Sequence, residues 1–74
     1  MGRLAGISGR KAVAAFCRAG WQIARQKGSH IILKKQGKPN LVIPTHRSVA
    51  PFLLRSQIRR AGLAEEEFLR LLGQ

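Results

Sequence analysis

The chain has 74 residues with 14 Lys/Arg against three Asp/Glu, a formal charge of +11 with its two histidines neutral. That length predicts one domain over residues 1–74 with one small core, and a single cysteine, Cys17, excludes an internal disulfide. The acids are adjacent, Glu65, Glu66 and Glu67, so residues 1–64 carry 13 cations and no acid, while the last ten carry Arg70 against three.

In chain order, Met1 to Gly6 has no apolar run of signal-peptide length, and nothing downstream approaches a membrane span, which predicts a reduced, cytoplasmic setting. Ser8 is placed to cap a helix over about 9–19, with Val13, Phe16 and Cys17 on its apolar side and Gly20 as its stop. Cys17 is therefore expected as a small buried hydrophobe rather than a nucleophile. Trp21 to Gln26 alternates as a strand, Lys27-Gly28-Ser29 turns, and His30 to Lys35 forms a second strand. Gln36-Gly37-Lys38-Pro39 turns again into a third strand, Asn40 to Pro44, giving an antiparallel meander. Pro51 suits the first turn of a helix carrying Leu54, Ile58 and Ala61 inward until Gly62. A last short helix over about 64–72 has Phe68, Leu71 and Leu72 as its stripe, and the dipole at its start explains the three glutamates without chemistry.

This order predicts an α+β domain of two layers, α-β-β-β-α with a short extra C-terminal helix, the helices over one face of the sheet. Period-two alternation then fixes the second strand. If Ile31 and Leu33 point into the helices, His30, Ile32 and Lys34 point away, because the opposite register would bury a lysine. Trp21 is expected in the core or on the sheet rather than as a base-stacking platform. With no Tyr and three Phe, stacking is not the dominant expected mode of recognition.

Residues 1–64 should bind polyanions, and nucleic acid is the first candidate because neutralising phosphates releases counterions. An anionic membrane surface is the competitor, but no long helix with a basic and an aromatic face is visible. His30 is the candidate catalytic residue: histidine exchanges protons near neutral pH, and this one stands at a strand entry among Arg25, Lys27, Lys34 and Lys35 with no carboxylate nearby. A metal-dependent nuclease needs carboxylates to hold its ions, and the scattered His and Cys make no zinc spacing, so no metal or cofactor is expected. The feasible route uses the RNA 2′-hydroxyl as nucleophile, which predicts RNA over DNA. Candidate RNA-binding positions are Lys27, Gly28, Ser29, Lys34, Lys35, Arg55 and Arg59. Gly28-Ser29 is equally explained as hairpin chemistry, and Arg55 and Arg59 as the solvated side of a helix. His46 is the candidate second proton-transfer group, with a plain loop histidine as its competing reading.

The chain resembles the HicA toxins, small mRNA-cleaving components of bacterial toxin–antitoxin pairs. The resemblance rests on Ala19-Gly20-Trp21, on Arg25-Gln26-Lys27-Gly28-Ser29-His30, on Val42-Ile43-Pro44-Thr45-His46, and on Leu54-Arg55 through Ala61-Gly62-Leu63 with Glu66-Glu67-Phe68 after it. It implies a double-stranded-RNA-binding-domain-like fold, an mRNA interferase whose catalytic histidine is His30, and a HicB-type antitoxin as partner. Two positions depart from the family's pattern: Phe52-Leu53 replaces a usual Gly-Thr pair, adding apolar surface beside a basic face, and Ala64 replaces a capping Ser at a cost of about 1 kcal/mol. The competing functions are a noncatalytic nucleic-acid-binding module and a protein-interaction subunit for an acidic partner.

Overall fold

The computed structural model describes residues 3–73, so Met1, Gly2 and Gln74 lie outside the described residues. The elements run α1 (Gly9–Arg18), β1 (Gln22–Lys27), β2 (His30–Lys34), β3 (Leu41–Pro44), α2 (Pro51–Arg60) and α3 (Glu65–Leu72). The order is the expected α-β-β-β-α, followed by the expected short helix.

Local chemistry sets the helix ends. The Ser8 hydroxyl accepts the Lys11 amide at 3.1 Å and starts α1. The stop is a Schellman pair, with Gly20 N–H donating to Cys17 O and Trp21 N–H to Phe16 O, which needs the left-handed φ of +97° at Gly20. Gly62 and Leu63 close α2 through the same two bonds, to Arg59 O and Ile58 O. Pro51 occupies the first turn of α2, where a missing N–H costs nothing. At the start of α3 the Glu67 carboxylate accepts the Ala64 amide at 3.0 Å, which is half of a capping box. The other half is missing, because the Ala64 methyl cannot accept.

The sheet order is β1-β2-β3, both pairs antiparallel. Ile31 and Leu33 of β2 and Leu41 and Ile43 of β3 are buried under the helices. They join Phe16, Leu54 and Phe68, all fully buried, with the two phenyl rings 5.0 Å apart. α1 and α2 pack on β3, and α3 packs on both α1 and α2. The N-terminal segment adds Leu4 and Ile7 to this core and pins the loop after β3, where Val49 N–H donates to Ile7 O and Gly9 N–H to His46 O.

One expectation from the sequence is corrected. Cys17 is exposed rather than buried. The buried residues of α1 are Gly9, Ala12, Val13, Ala15 and Phe16, and Cys17 lies one residue past them, seven residues from the exposed Arg10 and on the same side of the helix. The first strand is present as expected, one residue later than the alternation places it, and all six residues of β1 are exposed. β1 overhangs the helix layer, so even Ile23, which pairs with the buried Leu33, remains 56% exposed. Trp21, just before β1, is in the core at 2% exposure, and its indole N–H has no partner among the described residues.

Candidate nucleic-acid interface

The face of the sheet turned away from the helices is built by pairing. His30, Ile32 and Lys34 alternate with the buried Ile31 and Leu33, so His30 and Lys34 are exposed and Ile32 is half-buried. Residues directly opposite on neighbouring strands share a face. Lys27 pairs with His30, Arg25 with Ile32, and Gln22 with Lys34. Val42 pairs with Ile32 and Pro44 with His30 on the other side. The open face is thus a short apolar centre, Ile32 and Val42, bordered by Arg25, Lys27, His30 and Lys34.

A β-bulge between Ile23 and Arg25 decides which cations belong to that face. Counting in twos from Ile23, which shares a face with Leu33, would send Arg25 and Lys27 to the helix side. The extra residue, Ala24, reverses the alternation and turns both toward His30. Bulges commonly re-aim side chains in this way beside functional sites. Arg25, in the sequence only a neighbour of His30 along the chain, thus joins Lys27 and Lys34 on this face, and no alternation pattern signals the bulge that puts it there.

Lys27 and His30 close a two-residue hairpin on Gly28-Ser29. Gly28 has φ +60° and Ser29 a negative φ, the signs of a type II′ turn, whose first position favours glycine. A Cβ on Gly28 would meet nothing within 4 Å, so backbone conformation and not crowding explains the glycine. The Gln26 amide donates to Gly28 O at 3.1 Å and braces the turn.

His46 is brought to the same end of the sheet. The ladder continues one residue past β3, with Thr45 N–H donating to Ser29 O at 2.8 Å, so the segment bearing His46 lies against the turn that introduces His30. It is the backbone carbonyl of His46, bonded to Gly9 N–H, that holds this loop, and the His46 side chain is exposed.

The remaining candidates are elsewhere. Lys35 falls just after β2, is half-buried, and donates from Nζ to Ala19 O at 2.8 Å, closing the C-terminal end of α1. Arg55 and Arg59 lie on the exposed side of α2. Arg55 Nε stands 3.7 Å from Glu65 Oε1, a solvent-exposed pair of little energetic weight. α2 seals the free edge of β3: Gln57 Oε1 accepts Val42 N–H at 3.1 Å, and Arg60 Nε donates to Asn40 O at 2.9 Å. The glutamates are all at the start of α3, in the helix layer. Among the described residues no helix is long and apolar enough to cross a membrane.

A family model described as HicA toxin of bacterial toxin–antitoxin matches residues 9–63, well over half of the chain. The matched span runs from α1 through α2 and includes His30, His46 and the basic positions of both faces, while α3 lies beyond it. No curated protein matches the chain.

Proposed function

The chain belongs to the HicA toxins of bacterial toxin–antitoxin systems, a family of mRNA-cleaving enzymes, and from that premise we propose that residues 1–74 form one cytoplasmic, metal-independent endoribonuclease domain that uses His30 and is restrained by a HicB-type antitoxin. The observation that carries the reading is the exposed His30 at the turn end of β2, paired across the ladder with Lys27 on a face that also bears Arg25 and Lys34.

In this reading the RNA backbone lies on the open face of the sheet. A base removes the proton from the 2′-hydroxyl, the 2′-oxygen bonds to phosphorus, and the bond to the 5′-oxygen breaks as that oxygen receives a proton. The products are a 2′,3′-cyclic phosphate and a 5′-hydroxyl. His30 supplies one of the two proton transfers, and His46, at the same end of the sheet, is the candidate for the other. Lys27, Arg25 and Lys34 offset charge developing on the phosphoryl oxygens. The exposed amides of Gly28 and Ser29 offer further contacts to phosphate, and Arg55 and Arg59 extend the electrostatic surface along α2. Lys35 contributes through the same local potential while its amine remains bonded to α1. A metal has no carboxylate to hold it on this face, because Glu65, Glu66 and Glu67 all sit on the helix layer.

The test is cleavage of single-stranded RNA in excess chelator. The protein should cut RNA, leave DNA of the same sequence intact, and lose activity on His30→Ala with its fold retained, since this side chain is exposed. Dependence on added divalent metal, or full activity of a folded His30→Ala protein, refutes the mechanism. Binding without any cleavage would favour the noncatalytic nucleic-acid-binding alternative.

A further inference from the structure

Phe52 is the most exposed large apolar side chain among the described residues, at 73%, whereas the other two phenylalanines, Phe16 and Phe68, are fully buried against each other. It lies at the start of α2, and the spacing of an α-helix brings Ser56 and Arg59, four and seven residues on, beneath it on the solvent side. Arg55 flanks this row toward α3 and Arg60 toward the edge of β3. Together these five residues line a shallow groove of about 460 Å³. Phe52 therefore does not merely protrude; it stands at one end of a row of guanidinium groups.

The groove is also aligned with His30. α2 runs back along β3, with Gln57 at Val42 and Arg60 at Asn40. Going from Val42 to Pro44 advances about 6.6 Å along the strand, the length of four to five residues of helix at about 1.5 Å each. Counting back from Gln57 puts Leu53 and Phe52 level with Pro44, the residue that pairs with His30. A strand of nucleic acid crossing the sheet at His30 would pass the edge of β3 and reach Phe52 within a few nucleotides.

We propose that Phe52 is a base-stacking platform and that Phe52, Arg55, Ser56 and Arg59 form a nucleotide subsite for single-stranded RNA flanking the scissile bond. This rests on the ribonuclease reading for its substrate and adds to it a contact with bases. The charges favour a polyanion over a second copy of this chain, whose +11 would be repelled. A flat ring beside guanidinium groups fits a base and its phosphate, since stacking accepts any base and the cations hold the backbone. Arg55 can exchange its exposed partner Glu65 for a phosphate at little cost.

The experiment compares binding of two probes to the His30→Ala protein at fixed salt: a short single-stranded oligoribonucleotide and an abasic oligonucleotide with the same number of phosphates. Phe52→Leu keeps an apolar side chain but removes the ring, and Phe52→Trp restores a ring. Stacking predicts that Phe52→Leu weakens binding of the base-bearing probe about five- to a hundredfold, leaves the abasic probe and the salt slope unchanged, and is rescued by Phe52→Trp. Equal affinity of the Phe52→Leu and parent proteins for the base-bearing probe overturns the proposal, as does an equal loss on both probes. If Phe52→Leu binds RNA normally but loses affinity for an antitoxin, the residue is a protein contact and the proposal also fails. Cleavage by the protein with His30 intact is read in parallel: stacking without cutting keeps Phe52 as a base platform but overturns the ribonuclease reading and with it the placement beside a scissile bond, and cutting without stacking overturns the platform alone.

Discussion

Replacing Gly9 with alanine sets two physical effects against each other with opposite signs. Gly9 is the first residue of α1, and its φ is not in the left-handed region, so helix propensity and unfolded-state entropy favour alanine by about 0.4–1 kcal/mol. Tertiary packing opposes it. An added Cβ would lie 1.8 Å from Pro44 O, 2.9 Å from Pro44 C and 3.0 Å from Thr45 Cα. An ordinary carbon–oxygen contact is about 3.4 Å, so α1 and the loop after β3 must separate by roughly 1.5 Å. That movement breaks the 2.9 Å bond from Gly9 N–H to His46 O. Losing the bond costs about 1 kcal/mol and the forced shift about 1–3 kcal/mol. The expected net loss is about 1–3 kcal/mol, or roughly 5–20 °C in Tm for a domain of this size. Urea and thermal unfolding followed by the fluorescence of Trp21, the single tryptophan and a buried one, would measure it. Gly28→Ala is the reference, because its Cβ meets nothing and it pays only for a left-handed φ, about 1–2 kcal/mol. A Gly9→Ala protein as stable as the parent, or more so, would show that the close approach to Pro44 does not limit the fold.

Three further outcomes are expected. Ala64→Ser supplies the missing acceptor at the start of α3, where Glu67 already binds the Ala64 amide; it should raise stability by about 1 kcal/mol, and an unchanged denaturation midpoint would count against that cap. RNA affinity of the His30→Ala protein should fall steeply with salt, by about 0.7 in log–log slope per phosphate neutralised. Arg25→Ala and Lys34→Ala should each make that slope shallower, and salt-independent binding would remove the open face of the sheet from the RNA site. A cognate antitoxin that covers His30 should compete with RNA for the His30→Ala protein, its acidic groups meeting Lys27 and Lys34 and its apolar groups meeting Ile32. RNA affinity unchanged at saturating antitoxin would place inhibition on another surface.

Much of this protein was determined by the sequence alone, because the relevant physics is local. Ser8, Gly20, Pro51 and Gly62 punctuate the helices through groups bonded within a turn of them, and Gly28-Ser29 closes a hairpin through its own dihedral signs. The alternation His30, Ile32, Lys34 against Ile31, Leu33 sufficed to put His30 on the open face, because burying Lys34 would cost more than any packing could return. The segregation of charge, visible before any fold, pointed to a polyanion.

The rest was decided by contacts between residues far apart in the chain. Arg25 and Lys27 face His30 only because a bulge at Ala24 reverses the alternation, and a bulge depends on how two strands pair. Cys17 looked apolar in its helix, but α3 and the sheet cover the neighbouring stripe and leave it in water. Lys35 could be counted as a free cation until the fold carried its amine to Ala19 O. The loop bearing His46 is brought to the turn that introduces His30 by the continuation of the ladder at Thr45, and the place of Phe52 is set by the course of α2 along β3. Backbone hydrogen bonding and turn chemistry repeat at fixed short spacings and can be read along the sequence. Strand pairing and helix docking join positions at no fixed spacing, so only the folded chain specifies which charged groups surround the histidine.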